Sequence, residues 1–347
     1  MRSRVAVVLF ACLLCPSLLA QQRPDRRQQQ QQDIELKNFT FLDKAFHSDA
    51  VDQEAHYCIY LPKGYDDEAN KHKTWPLVIW LHGLFENRLR FHSHGFGAPV
   101  LDKAVTDGVL PPCLFVLAEV DRMSLYVNHE KKRWEDLVKV DLLDHVCANY
   151  RVDKDHKHWA LMGISAGGMA ALRITLTQPE LFGTVAVHSS AVFPDDPEKL
   201  PDRMKQMVQQ FGLDDVLGNP IDKDKWAKMN PLNIAEQLDS KTVKDLRIYF
   251  DAGTNDRHNF GATNKLLDEA LTAKHIEHTW QLVEGGGHAW GSGFKEESLM
   301  KSLTFVGQAF GASGAAKGKE SGKDKPPAGK GDGKDEASGR KGESGKD

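Results

Sequence analysis

Residues 160–172 read ALMGISAGGMAAL, in which one serine, Ser165, stands among glycines and alanines. The stretch contains Gly-x-Ser-x-Gly at 163–167, between an apolar run at 158–163 and a run rich in Ala, Leu and Met at 166–176. The first run predicts a strand and the second a helix. A serine in such a strand-to-helix turn has the setting of a nucleophile elbow. The alternative is a serine that only caps the helix.

The glycines of this stretch have a physical reason in the elbow interpretation. A sharp turn places the serine backbone in a sparsely allowed region, so Gly163 and Gly167 must lack Cβ atoms to avoid collision. Ser165 also stands at a helix N-terminus, where free N–H groups and the helix dipole favour the negative charge of an oxyanion. The pattern is short, so the interpretation depends on two further segments.

The chain alternates between predicted strands and helices. Strands are predicted at 56–62, 75–83, 112–120, 158–163, 184–190, 246–253 and 277–285, and helices at 134–150, 165–176, 260–275 and 294–310, with weaker helices around 198–211 and 231–238. This order predicts an α/β fold with a mostly parallel central sheet and helices on both faces. The carboxyl ends of its strands then meet at one edge. Within 134–150, apolar residues at 137, 140, 143, 146 and 147 predict one buried face.

A serine hydroxyl needs a base to take its proton, and in this arrangement the acid and the base follow the serine along the chain. Asp251 and Asp256 lie in DAGTNDRHN, after one predicted strand, and His288 lies in EGGGHAWGSG, after the next. Glycines 285–287 allow an abrupt turn that aims the imidazole. We favour Asp256 as the acid, because it lies deeper in its loop, whereas Asp251 at the strand end could instead anchor that loop.

An oxyanion hole requires two backbone donors, each contributing a few kcal/mol to catalysis. One is the amide after the nucleophile, here Ala166, and the other comes from the loop after an early strand. WLHGLFENR at 80–88 fits that loop, with Leu84 as the expected donor. His82 is expected to be structural rather than a second base.

The two ends of the chain differ in composition from its middle. Residues 1–20 have a short basic region, an apolar run and a small-residue exit, which predict a secretory signal peptide. Lipid attachment at Cys12 or Cys15 is the less favoured alternative. A Gln-rich spacer is predicted at 21–36 and a Gly-, Lys-, Asp- and Glu-rich tail at 312–347, both disordered. The catalytic domain is therefore expected at 37–311, in a secreted or periplasmic protein with no transmembrane span in the mature chain.

Charge and composition exclude other classes. The net charge is −4 and the pI about 6.4, so no nucleic-acid partner is expected. His92 and His94 are the histidines that we considered as a metal-ligand pair among the 15, and no third ligand lies nearby in sequence, so we expect no metal and no cofactor.

The chain resembles the esterase D family of serine hydrolases, which includes feruloyl and acetyl-xylan esterases, S-formylglutathione hydrolases and mycolyltransferases. WLHGLFEN at 80–87, the segment from 153 to 191, DAGTND at 251–256 and GGGHAW at 285–290 carry the resemblance. It implies an α/β-hydrolase fold, metal-independent ester cleavage and an acid at the second aspartate of DAGTND. Ala166 departs from the Met or Leu of many members. The predicted signal peptide argues against S-formylglutathione, an intracellular substrate.

These expectations combine into a Ser165–Asp256–His288 triad that cleaves a small ester or an acylated polysaccharide through an acyl-enzyme. Ser124, Tyr126 and Trp290 are candidate substrate contacts. An acyltransferase to a sugar or alcohol on the same triad remains open, as does a secreted binding protein without activity. A peptidase would need a larger cap or propeller than 193–240 provides. The sequence does not determine the oligomeric state.

Overall fold

The computed structural model describes residues 34–93, 96–210, 213–290 and 292–312. All of these residues lie in one compact unit that ends at Ala315, and the second unit, 316–347, is outside the described part. The signal peptide predicted at 1–20 lies outside it as well. So do nearly all of the predicted spacer and tail.

A mixed eight-stranded sheet forms the centre of the fold. Its strands are β1 (Phe39–Ser48), β2 (Gln53–Pro62), β3 (Leu77–Leu81), β4 (Leu114–Ala118), β5 (Trp159–Ile164), β6 (Thr184–His188), β7 (Arg247–Gly253) and β8 (Thr279–Val283). The spatial order is β1-β2-β4-β3-β5-β6-β7-β8. β2 is antiparallel to both its neighbours, and the pairs from β4 onward are parallel. The predicted parallel sheet is confirmed, and β1 is a strand that the sequence analysis missed.

Helices cover both faces of this sheet. They are α1 (Arg90–Ser93), α2 (Gly97–Thr106), α3 (Trp134–Asp136), α4 (Leu143–Asn149), α5 (Ala166–Thr177), α6 (Asp202–Gln210), α7 (Asp214–Leu217), α8 (Lys223–Met229), α9 (Pro231–Gln237), α10 (Phe260–Ala273) and α11 (Glu296–Ala309). Because side chains alternate along a strand, β3 sends Leu77 and Ile79 to one core with α5 and α10, and Val78 and Trp80 to another with α2 and α11. Among the described residues, no helix is long and apolar enough to cross a bilayer.

The helical run from Trp134 to Asn149 buries a different face from the predicted one. Val140 is 43% exposed and Cys147 is also exposed, so the predicted apolar face is wrong at these two positions. A π-helical turn, Leu137–Leu142, interrupts the run. Its wider turn shifts the residues that face the sheet, and Val138 and Leu142 are buried instead.

Residues 193–240, between β6 and β7, form a small helical layer that we call the cap. It contains α6 to α9 and has its own apolar cluster, which reaches Ala166 and Met169 of α5. Asn230 is fully buried and fastens the start of the cap to its end. Its amide oxygen accepts the Phe193 N–H at 3.1 Å, and its amide nitrogen donates to the carbonyls of Phe193 and Pro194.

Candidate active site

Ser165 occupies a strained backbone conformation at the junction of β5 and α5. Its φ is +56° and its ψ is −118°, a region that non-glycine residues rarely adopt. Neighbouring main-chain groups hold it there. The Ser165 amide donates to the carbonyl of His188 at 3.0 Å, and the Ser165 carbonyl accepts the amides of Met169 at 2.9 Å and Ala191 at 3.0 Å. The turn is therefore fixed by the adjacent strand and by its own helix.

The glycines on either side of Ser165 are required by close main-chain approach. A Cβ on Gly163 would lie 2.7 Å from the carbonyl carbon of Gly167. A Cβ on Gly167 would lie 2.2 Å from the carbonyl oxygen of Leu81 on β3. Neither contact is possible for a real side chain, so the steric reason expected from the sequence is confirmed.

The structure brings Ser165, His288 and Asp256 into one hydrogen-bonded series. His288 Nε2 lies 3.0 Å from Ser165 Oγ, and His288 Nδ1 lies 2.9 Å from Asp256 Oδ2. A carboxylate can only accept, so Nδ1 carries the hydrogen and Nε2 accepts the serine hydroxyl. Burial acts to raise the pKa of Asp256, but hydrogen bonds from His288 and from the His258 amide, with the histidine charges, hold it below its ordinary value. Asp256 is thus an anion at neutral pH.

The loops that carry Asp256 and His288 are joined through their main chains. The Asn255 amide donates to the Gly286 carbonyl at 2.8 Å, and the Gly285 amide donates to Thr254 Oγ1 at 2.8 Å. A Cβ on Gly253 would lie 2.0 Å from the Gly286 carbonyl oxygen. Asp256 and His288 are therefore positioned relative to each other by backbone contact.

Asp251, the alternative acid, lies in a separate buried network. Its carboxylate contacts His188 Nδ1 at 2.9 and 3.0 Å and accepts the Tyr249 hydroxyl at 2.9 Å. His188 Nε2 in turn lies 2.9 Å from Ser302 Oγ on α11. Asp251 therefore ties β6, β7 and α11 together beneath the elbow, and it is Asp256 that reaches His288.

Leu84 and Ala166 both border the pocket in which the Ser165 hydroxyl lies. Within the described part of the chain, no acceptor takes the amide of either residue. The loop before Leu84 is held by Glu86, whose carboxylate accepts the Gly83 amide at 3.0 Å and is paired with Arg90 at 3.1 Å. The sequence analysis did not single out Glu86 or Arg90. Their i, i+4 spacing, with Glu86 three residues after the Gly of His-Gly, was the available signal.

His82 has the structural role expected of it. It is buried, its Nδ1 donates to the Gly83 carbonyl at 2.9 Å, and its Nε2 lies 3.4 Å from the Val120 amide. Burial lowers the pKa of His82, which fits a neutral ring with one donor and one acceptor. The His82 carbonyl accepts the Tyr126 hydroxyl at 2.9 Å, and this hydrogen bond holds the loop that precedes Leu84.

The pocket above Ser165 has a volume of about 630 Å³. Ser165, His288 and Ala166 lie at its floor, and cap side chains form much of its wall. The cap residues are mostly apolar: Phe193, Leu200, Met204, Val208, Leu213, Leu217, Trp226 and Met229. Arg257 and His258 add polar groups beside the base, and both stand directly after Asp256 in the sequence, where the sequence analysis overlooked them.

None of the three candidate substrate contacts, Ser124, Tyr126 and Trp290, is among the residues that line this pocket. Ser124 is buried and donates to the Asp121 carbonyl at 2.8 Å, and Tyr126 points its hydroxyl at His82. Trp290 is buried among aromatic rings, 5.2 Å from Phe96 between ring centroids. From the same loop, Leu125 does line the pocket. Leu125 and the following Tyr126 have left-handed φ angles of +51° and +57°.

Of the two histidines considered as a metal-ligand pair, His92 and His94, the structure describes His92. His92 is buried, stacks on Phe41 with 3.7 Å between ring centroids, and its Nδ1 lies 2.9 Å from the Tyr60 hydroxyl. His94 lies outside the described residues. In the ranges that the structure covers, no three His, Cys, Asp or Glu side chains converge as metal ligands.

The sheet order, the strained serine turn and the helices on both faces define an α/β-hydrolase. The family described as "Putative esterase" matches residues 48–303. The chain therefore belongs to this esterase family, and its resemblance to the esterase D group is confirmed.

Two curated relatives are each 25% identical to the chain. One is an endo-1,4-beta-xylanase/feruloyl esterase of Xylanibacter ruminicola, aligned over 159 residues, 44% of this chain and 22% of that protein. The other is an uncharacterized protein of Corynebacterium glutamicum, aligned over 238 residues, 65% of this chain and 51% of that protein. The chain thus covers less than two thirds of either relative's length.

Solved structures share the fold at low identity. A ferulic acid esterase is 19% identical with a TM-score of 0.65, over 80% of this chain and 100% of that chain. An S-formylglutathione hydrolase from Agrobacterium tumefaciens is 15% identical with a TM-score of 0.60, over 81% and 98%. A ferulic acid esterase from Anaeromyces mucronatus, in complex with ferulic acid, is 18% identical with a TM-score of 0.56, over 83% and 96%.

Proposed function

We propose that this protein is a secreted serine esterase that cleaves carboxylic esters with Ser165, His288 and Asp256. The observation that carries the proposal is the relay from Asp256 Oδ2 through the His288 ring to Ser165 Oγ, with separations of 2.9 and 3.0 Å. It lies at the floor of a pocket large enough for a small ligand. Membership of the esterase family supports the same reaction class.

In the first step, Ser165 Oγ attacks the ester carbonyl carbon while His288 Nε2 accepts the hydroxyl proton. The Asp256 carboxylate accepts the hydrogen bond from Nδ1 and stabilises the imidazolium that forms. Negative charge develops on the former carbonyl oxygen, where the Leu84 and Ala166 amides donate to it. His288 then returns the proton to the departing alcohol, and the acyl group remains on Ser165.

In the second step, water replaces the alcohol. The water oxygen attacks the acyl carbon while His288 takes a proton from the water. His288 then returns that proton to the Ser165 oxygen, and the carboxylic acid is released. An alcohol or sugar hydroxyl in place of water would make the same enzyme an acyltransferase. Both outcomes pass through one acyl-enzyme, so the ratio of acid to transferred product with an added alcohol distinguishes them.

The pocket suggests how the substrate divides between the two sides of Ser165. The apolar cap wall suits the acyl or aryl part, because an apolar group gains about 25 cal/mol for each Å² that it removes from water. Arg257 and His258 lie beside the base and suit a polar alcohol part. With the predicted signal peptide, this division favours an acylated carbohydrate or a small ester outside the cytoplasm.

The test is hydrolysis of p-nitrophenyl esters from acetate to octanoate, and of a ferulate ester. Ser165→Ala should lower kcat by about five to six orders of magnitude. Ser240→Ala, at a partly exposed position outside the pocket, is the matched control and should keep wild-type activity. If Ser165→Ala kept more than about a tenth of the wild-type rate, the assignment of the nucleophile would be wrong.

A further inference from the structure

A second cavity, of about 720 Å³, lies at the junction of the cap with the core. Its wall includes Arg173 and Thr177 of α5, the loop at 127–131, and residues of α7 and α8. It borders neither Ser165 nor His288. Leu217 and Met229 line both cavities and form the wall between them. The cavity is thus next to the active-site pocket but separate from it.

Positive charge predominates around this cavity. Four cationic side chains line it, Lys131, Arg173, Lys225 and Lys228, against two carboxylates, Glu130 and Glu135. Glu135 is already engaged, since it accepts from Arg173 Nε at 2.7 Å and from Lys139 at 2.8 Å.

Among the described residues, the three cavity lysines lie beyond ion-pair distance of any carboxylate, although Lys225 and Lys228 act on the charge of Asp222. In the residues that the structure describes, Lys131, Lys225 and Lys228 form no salt bridge. Lys223, on the same helix, pairs with Glu198 at 2.7 Å. Lys225 and Lys228 are three residues apart, so they share a face of α8. That face is the one directed at the cavity.

Arg173 supplies the second, independent observation. It is 5% exposed, and it uses Nε on Glu135 and Nη2 on the Tyr126 carbonyl at 2.6 Å. Its buried Nη1 has no hydrogen-bond partner in the described part of the chain. A buried donor without a partner destabilises the fold, and more strongly when it carries charge. Arg173 lines the cavity, and an acceptor bound there that contacted Nη1 would remove that destabilisation.

We infer that this cavity binds a small molecule with two or more negative charges, whether carboxylates or a phosphate, between Arg173 and the lysines of α8. Guanidinium and ammonium groups recognise both anions through charge-assisted hydrogen bonds. The inference is independent of the proposed esterase activity, because none of these side chains contacts the Ser165 relay in the structure.

The test is isothermal titration calorimetry of the full chain at low salt. The probes are inorganic phosphate, digalacturonate and the neutral disaccharide cellobiose. At least one anion should bind saturably, and cellobiose should not. Lys225→Gln/Lys228→Gln should weaken the anion's Kd about tenfold, which corresponds to about 1.4 kcal/mol. If phosphate alone binds, the ligands of the cavity are phosphate esters. If digalacturonate alone binds, the ligands are sugar acids.

The matched control is Lys241→Gln/Lys244→Gln, which removes the same charge from exposed positions outside the cavity. It should bind the anion within about twofold of wild type. Ser165→Ala should bind it like wild type even if the esterase proposal fails. The inference is overturned if neither anion binds below about 10 mM, or if the two double variants lose affinity equally.

Discussion

The main-chain carbonyl of His188 accepts the amide hydrogen of Ser165 at 3.0 Å. The side chain of the same histidine is held by Asp251 on one ring nitrogen and Ser302 on the other. The strained serine turn is therefore hydrogen-bonded to a residue whose own side chain is fixed in the core. Asp251 and Asp256 stand five positions apart in one stretch of sequence, yet one supports the turn and the other contacts His288.

Replacing the two aspartates should separate these roles. Asp256→Asn should lower kcat on the order of 10⁴-fold, because the imidazolium loses its anion and the ring its orientation. Asp251→Asn should instead lower the free energy of unfolding by about 3 kcal/mol, since it breaks a buried network. Ester hydrolysis and urea unfolding of both variants measure the contrast. Equal kcat losses in the two variants would contradict it.

Two neighbouring glycines after Ser165 should respond differently to an added methyl group: Gly168 should tolerate it and Gly167 should not. Gly167→Ala should lower the free energy of unfolding by about 3 kcal/mol or more, because its Cβ would meet the β3 main chain at 2.2 Å. Gly168→Ala is the neighbouring control, with a nearest contact of 3.2 Å to Ser190, and should cost about 1 kcal/mol. Thermal and urea unfolding compare the two. If Gly167→Ala lost less unfolding free energy than Gly168→Ala, the main chain of β3 would have to move to accommodate the methyl group.

Tyr126→Phe tests the support beneath the oxyanion loop. Without the hydroxyl, the His82 carbonyl loses its buried donor and the loop before Leu84 loosens. We expect kcat to fall about tenfold with KM little changed, because the loss affects transition-state stabilisation. Tyr150→Phe removes a phenol that contacts Tyr57, outside the pocket, and should leave kcat within about twofold. A rise in KM alone would instead make Tyr126 a residue for binding substrate.

The stabilising effect of Asp256 should depend on pH in a defined direction. Its pKa in the folded protein lies below the ordinary 3.8. Its contacts therefore stabilise the fold above that value, and the effect disappears as the pH falls through the folded pKa. The difference in unfolding free energy between wild type and Asp256→Asn should be full at pH 7 and shrink below about pH 4. Urea unfolding of both proteins at a series of pH values measures this difference. A difference that grew as the pH fell would contradict the prediction.

The sequence predicted the fold well where local pattern and packing agree. The strand, turn and helix around Ser165 follow from apolar periodicity and from glycines whose need is steric, and the strand ends bring Asp256 and His288 to one edge. β1 was missed because its residues are mostly half-buried or exposed, which weakens the alternation that marks a strand.

Other parts could not be predicted because they depend on tertiary contacts. The π turn at Leu137–Leu142 changes the helical phase, and local spacing carries no signal for it. Ser124 and Tyr126 lie outside the pocket lining, in a loop where Leu125 and Tyr126 have consecutive left-handed φ angles that local spacing does not reveal. The cap wall of the pocket comes from several short helices whose arrangement only the folded chain defines.

Because the main chains of Gly253 and Gly286 are in contact, the relative position of the two loops does not depend on the exposed side chains around them. Asn255 and Glu284 are exposed on the two loops, and their side chains make none of the contacts that hold acid and base together. Substitution at these two positions can therefore alter the surface of both loops while Asp256 and His288 keep their relative position. The two loops can therefore diverge in sequence at these exposed positions without disturbing the pair of side chains that they carry.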